Sequence, residues 1–298
     1  MKIIITGSLG HISKPLTIEL VQKGHQVTVI SSKPDKQKDI GALGAMSAIG
    51  SLEDADFLIA SFAGADAVYT MVPPANYFDQ NLDVYGYYER IGKNYAQALK
   101  AVGVSRVVNL STIGGHLNKG NGILRGAHNV ENILNELASD VAITHIRPTE
   151  YYYNLLPQVH SAKSGGFMAS NIGGGVTNVW VDPLDIAAAF ADEITTPTTG
   201  RKIRYVASEE ITYNELTRII GEAIGKPDLK WLTLTDEQME SGAVAIGMQP
   251  KIAAGLTEMY AAINSGLLYE DYKLHRPATI LNVKVEDFAK EFAIAFNK

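Results

Sequence analysis

Cysteine is absent from this chain of 298 residues, and histidine occurs only seven times. The first absence excludes a disulfide framework, a thiolate nucleophile and any Cys-ligated metal site. The histidines show no HExxH-type spacing, so no metal is expected. No apolar run approaches the roughly 20 residues that span a bilayer. The start of the chain carries no signal-peptide h-region and cleavage site, so a cytoplasmic protein without membrane contact is expected. The net charge of −6 gives no broad cationic surface for counterion release, and no direct nucleic-acid binding is expected. Internal repeats and low-complexity segments are also missing.

What is present begins at the first residues, MKIIITGSLGHISKP. An apolar run, Lys2 to Ile5, leads into Thr6 and Gly7, then Gly10, then residues with helical spacing. A strand, a tight glycine turn and a helix in that order point backbone N–H groups at an anion, usually a dinucleotide pyrophosphate. Gly7 supplies the sharp turn, and Gly10 lets phosphate approach the backbone without an intervening Cβ. The usual third glycine is replaced by Ser13. Leu9, His11 and Ile12 complete the loop expected around the cofactor.

Behind this turn, strand-like and helical segments alternate through about residue 146, the signature of a parallel sheet covered on both faces. The expected strands are Ile3–Thr6, Gln26–Ile30, Met46–Ile49, Ala67–Met71, Arg106–Leu110 and Ala142–Ile146. The predicted fold is α/β: a doubly wound parallel sheet of Rossmann type with a smaller, mostly helical C-terminal lobe. Residues 1–150 form the dinucleotide-binding core, and 151–298 form mainly a substrate or partner lobe interleaved with remaining core elements. The segments Tyr205–Val206, Asn214–Ile224, Asp236–Gly242, Pro250–Ser265 and Val285–Phe296 read as mostly helical, and Gly165–Gly175 as irregular. Asp182 or Asp185 caps a helix with Pro183 in its first turn.

The end of the second strand decides between the two nicotinamide dinucleotides. A carboxylate there binds ribose hydroxyls, whereas hydroxyl or basic groups accept a 2′-phosphate. The tip reads Ser31-Ser32-Lys33-Pro34, without a carboxylate, so NADP(H) is expected over NAD(H).

Several segments together resemble the NmrA-like branch of the atypical short-chain dehydrogenases/reductases. They are Thr6-Gly7-Ser8-Leu9-Gly10, Val72-Pro73-Pro74, Leu110-Ser111-Thr112-Ile113-Gly114, Ile146-Arg147-Pro148, Val181 through Ala187, and Pro277-Ala278-Thr279. They follow the family's order over nearly the whole chain. The resemblance implies that Ser51 and Leu52 lie near the adenine, and Val72 and Pro73 along the nicotinamide ribose. Ser51 stands where many relatives carry aspartate. It further implies a cleft wall from Pro74 and from Tyr151, Tyr152, Tyr153 and Asn154, with alternate tyrosines facing the pocket and His116 on the same edge.

Standard short-chain dehydrogenases use a serine, a tyrosine and a lysine four residues after the tyrosine. Ser111 and Thr112 supply hydroxyls here, but Leu124 takes the tyrosine position and His128 the lysine position. His128 and Thr112 are therefore the catalytic candidates, with His128 and Ser111 also placed at the cofactor. The missing acid argues against ordinary ketone and alcohol redox chemistry and against sugar-nucleotide epimerisation or dehydration. A quinone-like acceptor can take its proton from water. The leading expectation is an NADPH-dependent reductase of a quinone-like or other conjugated aromatic molecule. The alternative is a non-catalytic NADP(H)-binding redox sensor acting on a protein partner.

Overall fold

The computed structural model describes residues 1–277 and 283–298. The strands are β1 (Lys2–Ile5), β2 (Gln26–Ser31), β3 (Met46–Ile49), β4 (Ala67–Thr70), β5 (Arg106–Leu110), β6 (Ala142–Pro148) and β7 (Glu150–Tyr151), followed by β8 (Phe167–Ser170), β9 (Thr177–Val181), β10 (Arg201–Val206), β11 (Glu209–Thr212) and β12 (Lys230–Thr233). The helices of the first half are α1 (Ser13–Gln22), α2 (Lys36–Ala42), α3 (Ala55–Phe62), α4 (Val84–Val102) and α5 (Arg125–Asn135). Those of the second half are α6 (Val159–Ser164), α7 (Pro183–Thr195), α8 (Tyr213–Ala223), α9 (Asp236–Ala245), α10 (Pro250–Asn264), α11 (Glu270–Leu274) and α12 (Val285–Asn297).

Seven strands form one sheet in the order β10-β6-β5-β4-β1-β2-β3, every neighbouring pair parallel. The order reverses between β1 and β4, the place where an open α/β sheet leaves a crevice for ligand. Parallel strands need both faces covered, and β1 shows this residue by residue. Ile3 and Ile5 pack with Leu16 and Leu20 of α1 and Phe190 of α7. Ile4 faces the other way, onto Leu58 and Phe62 of α3 and Tyr95 and Leu99 of α4. A third apolar cluster lies in the second half, where Tyr152, Trp180, Tyr213, Phe288 and Phe292 meet.

The second half departs from its mostly helical reading in five places, β8 to β12. Tyr205–Val206 belongs to β10, the seventh strand of the main sheet, and the glycine-rich stretch contains β8. Arg-Lys-Ile-Arg precedes Tyr205 and hides the strand, because an edge strand tolerates charges that an interior one does not. Asp182 caps α7 by accepting from the Leu184 amide at 2.8 Å, with Pro183 first in the helix. Of the family-like segment at 277–279, Ala278 and Thr279 lie outside the described residues. Among the described residues no helix is long and apolar enough to cross a membrane.

One buried carboxyl makes stability depend on pH. Glu150 accepts from the Tyr213 hydroxyl and the Asn178 amide, both at 2.7 Å. Burial pushes its pKa up to about 7, against the pull of those two hydrogen bonds. The unfolded chain ionises this group near 4.5, so the native state binds more protons between there and about 7. The contribution of Glu150 to stability therefore falls as pH rises through that window, by at most about 1.4 kcal/mol per pH unit. Urea midpoints of Glu150→Gln between pH 5 and 8 are expected to lose this decline; an unchanged slope would assign it to other groups.

Candidate functional site

A cleft of about 560 Å³ opens at the C-terminal ends of β1, β2, β4 and β5. Its floor at one end is the β1–α1 turn. Gly7 has φ +88°, and a Cβ there would sit 2.8 Å from Ser13 Oγ and 3.0 Å from Met71 Sδ. Ser13 is accommodated because its hydroxyl donates to the Thr6 carbonyl at 3.0 Å. The Thr6 hydroxyl accepts from the Met71 amide at 3.1 Å, tying the turn to the end of β4. Ile12 begins α1 with no side-chain cap, so the helix start is available to an anion. A Cβ on Gly10 would approach the Gly7 carbonyl to 3.3 Å. This close-backed, uncapped turn fits a pyrophosphate.

Ser8 is the one non-glycine residue with positive φ (56°) among the described residues. Its amide donates to the Ile30 carbonyl at 3.0 Å, and its hydroxyl donates to Ser31 Oγ at 2.9 Å. Ser31 also accepts from the Lys33 amide at 3.1 Å and lies buried. Ser31 lines the cleft, and by accepting from Ser8 its hydroxyl also staples the glycine turn to the β2 tip. Ser32 is exposed and lines the cleft, whereas Lys33 is exposed but stands outside the lining.

Gly7, Gly10, His11, Ile12, Ser51, Leu52, Val72, Pro73, Pro74, Ser111 and Thr112 all line this cleft. Two loop residues do not. Thr6 is fully buried beneath the turn, and Leu9 packs its side chain against the apolar core on the α1 side.

The histidine expectations need larger corrections. His128 points away from the cleft into a separate polar recess. Its Nδ1 bonds the Gly115 carbonyl at 2.8 Å, and its Nε2 meets the Asn132 amide at 2.9 Å. That pairing requires the neutral Nδ1–H tautomer and leaves neither nitrogen for ribose or substrate. His116 lines the same recess, and burial lowers its pKa.

The tyrosine run is corrected as well. Tyr152 is fully buried, stacked between Trp180 and Phe288, and its hydroxyl donates to Glu209 at 3.1 Å. Asn154 is exposed and outside the cleft. Tyr151 does line it, and so does Tyr153. Alternation along an extended segment carries the signal, since residues two apart share a side. Their rings stack at 5.0 Å and 8°, and the His11 ring stacks on Tyr153 at 4.7 Å and 17°. Burial raises the Tyr153 pKa to about 12 and that of Tyr151 well above its ordinary value, so both phenols stay neutral. Tyr87 and Tyr88 on α4 close the opposite side with Leu124 and Ala127.

The family model for NAD(P)H-binding proteins matches residues 7–165, which include the turn and the cleft it opens into. The chain belongs to the NAD(P)H-binding family. This agrees with the NmrA-like resemblance and supports NAD(P)H as the cofactor. The chain is 24% identical over 300 residues to an NAD(P)H azoreductase of Xenophilus azovorans, covering 99% of each. An NADPH-dependent quinone oxidoreductase of Escherichia coli, solved with NADPH, superposes with a TM-score of 0.80 at 19% identity, over 97% of this chain and 99% of that one. The triphenylmethane reductase of a Citrobacter species gives 0.79 at 18% identity, over 99% and 100%.

Because both φ and space demand glycine at position 7, Gly7→Ala is expected to weaken NADPH binding at least about tenfold with the fold retained. Calorimetric titration with parallel circular dichroism checks this, and unchanged affinity would remove the turn from the site.

Proposed function

We propose that this protein is an NADPH-dependent reductase whose acceptor is a planar, conjugated aromatic molecule of quinone-like or azo type. The observation that carries the reading is the continuity of the cleft. It runs from the glycine turn to a wall of Tyr151 and Tyr153, and His11 of the turn itself stacks on that wall. Flat aromatic surfaces of this kind favour flat ligands. The names of the relatives, which reduce azo compounds, quinones and triphenylmethane dyes, support the same class.

Gly7, Gly10, His11 and Ile12 would hold the pyrophosphate, Ser51 and Leu52 the adenosine side, and Val72, Pro73 and Ser111 the nicotinamide ribose side. Nicotinamide supplies the hydride when bound, and the protein's task is to position donor and acceptor. Thr112 borders the same space as a hydroxyl donor. Leu124 lies where a short-chain dehydrogenase places its acid, so the proton comes from water, which suits an acceptor that needs no carbonyl activation. Ser32 at the rim of the cleft, with Lys33 beside it and no carboxylate at the β2 tip, supports NADPH over NADH.

The same Leu124 favours a second reading, a redox sensor that binds NADP(H) without turnover and changes its affinity for a protein partner. NADPH oxidation across a panel of quinones, azo dyes and enones separates the two. Turnover with at least one quinone or azo acceptor is expected, together with reversal of the NADPH preference in Ser32→Asp. Demonstrated NADPH binding with no oxidation across the panel would overturn the reductase reading in favour of the sensor.

A further inference from the structure

The cleft serine is not a free hydroxyl. Ser111 Oγ donates to Glu131 Oε1 at 2.5 Å, and both residues are buried. The same carboxylate is gripped by Arg147, whose Nε reaches Oε1 at 2.9 Å and whose Nη2 reaches Oε2 at 2.6 Å. Burial opposes the charge on Arg147, but the adjacent Glu131 carboxylate more than offsets it and the pKa is raised. The remaining arm of Arg147 donates to the Tyr205 hydroxyl at 3.2 Å and to Asp271 at 2.9 Å. Tyr205 in turn donates to Asp271 at 2.6 Å. A carboxylate so bound to arginine is ionised and can only accept.

The backbone seals this junction. A Cβ on Gly115 would lie 2.8 Å from Glu131 Oε1, 2.9 Å from Ser111 Oγ and 3.1 Å from Arg147 Nε. Glycine at this position allows the loop to close tightly over the three groups.

We infer that Glu131, locked by Arg147, turns the Ser111 proton away from the cleft, so that Ser111 meets its ligand there as a hydrogen-bond acceptor. A hydroxyl has one proton and two lone pairs, and here the proton is committed. The group bound by Ser111 must then be a donor, an amide N–H or a hydroxyl. A carbonyl oxygen placed against it would face lone pairs. This inference rests on the dinucleotide cleft and the reductase reading and adds a specificity to them. The serine holds the carboxamide or a ribose hydroxyl of the cofactor and does not polarise a substrate carbonyl. Glu131 is a positioning residue, since it acts through Ser111.

The orientation is testable without ligand. Proton NMR of the ligand-free protein is expected to show a slowly exchanging, downfield serine hydroxyl proton that disappears in both Ser111→Ala and Glu131→Gln, while the one that Ser208 donates to Asp185 remains. Absence of that resonance from the wild type would overturn the inference, whether or not the protein proves to be a reductase. Titration then reads the ligand side. Ser111→Ala is expected to weaken NADPH binding about tenfold. Adding Glu131→Gln to Ser111→Ala should weaken it no further. A further loss of the same size as in the single Glu131→Gln variant would make Glu131 merely structural and contradict the proposal. The NADPH analogue with acetyl in place of carboxamide distinguishes the two donors. An effect of Ser111→Ala confined to NADPH assigns the carboxamide, and an equal effect on both cofactors assigns a ribose hydroxyl. No effect on either would overturn acceptance by Ser111.

Discussion

The approach of α1 to the end of β1 at Gly7 is the constraint on which the rest depends. The left-handed backbone there, with Ser13 Oγ and Met71 Sδ already at contact distance from a would-be Cβ, lets strand, helix and the end of β4 meet in one small volume. Ser13 replaces a glycine that relatives use for close packing, yet it costs little because its hydroxyl has the Thr6 carbonyl to donate to. The hydroxyls of Thr6 and Ser13 both find backbone partners at this crossing. Ser8 extends the same arrangement sideways to Ile30 and Ser31, joining the turn to the β2 tip. One set of short contacts thus joins the glycine turn to the β2 tip along one end of the cleft.

At the far end the cleft changes character from backbone amides to aromatic rings. Tyr151 and Tyr153 reach it because β7 and the turn after it leave the main sheet directly from β6, and because Tyr152 between them is anchored by Trp180 and Phe288. The buried Arg147 cluster connects this end to α11. Asp271 keeps a pKa below the usual carboxylate range, since the Tyr205 hydroxyl and the Arg147 guanidinium together outweigh its burial. A segment far along the chain thereby bears on the serine that faces the ligand.

Much of the core was legible in the sequence because the signals were local. Six strands of the main sheet follow from apolar runs bounded by glycine, and the cofactor turn follows from Gly7 and Gly10. The seventh strand was hidden because Arg201, Lys202 and Arg204 make its edge polar. At the site, residue type and position along the chain identified Ser32, Ser111 and Thr112 as cleft residues. They misassigned His128 and Tyr152, and for one shared reason. Each has its polar group spent on a neighbour distant in sequence: His128 on the Gly115 carbonyl and Tyr152 on Glu209. Only the three-dimensional pairing shows which hydroxyl or imidazole remains free. The coupling of Ser111 to Glu131 and Arg147 was illegible for the same cause.

The central claim is that one continuous cleft brings nicotinamide to the aromatic wall. A crystal structure of the NADPH complex tests it most directly. The account predicts the pyrophosphate over the backbone of Gly7 to Ile12 and the nicotinamide beside Ser111, within reach of Tyr153. A dinucleotide whose nicotinamide end lies away from that wall, in the polar recess lined by His116 and His128, would contradict it.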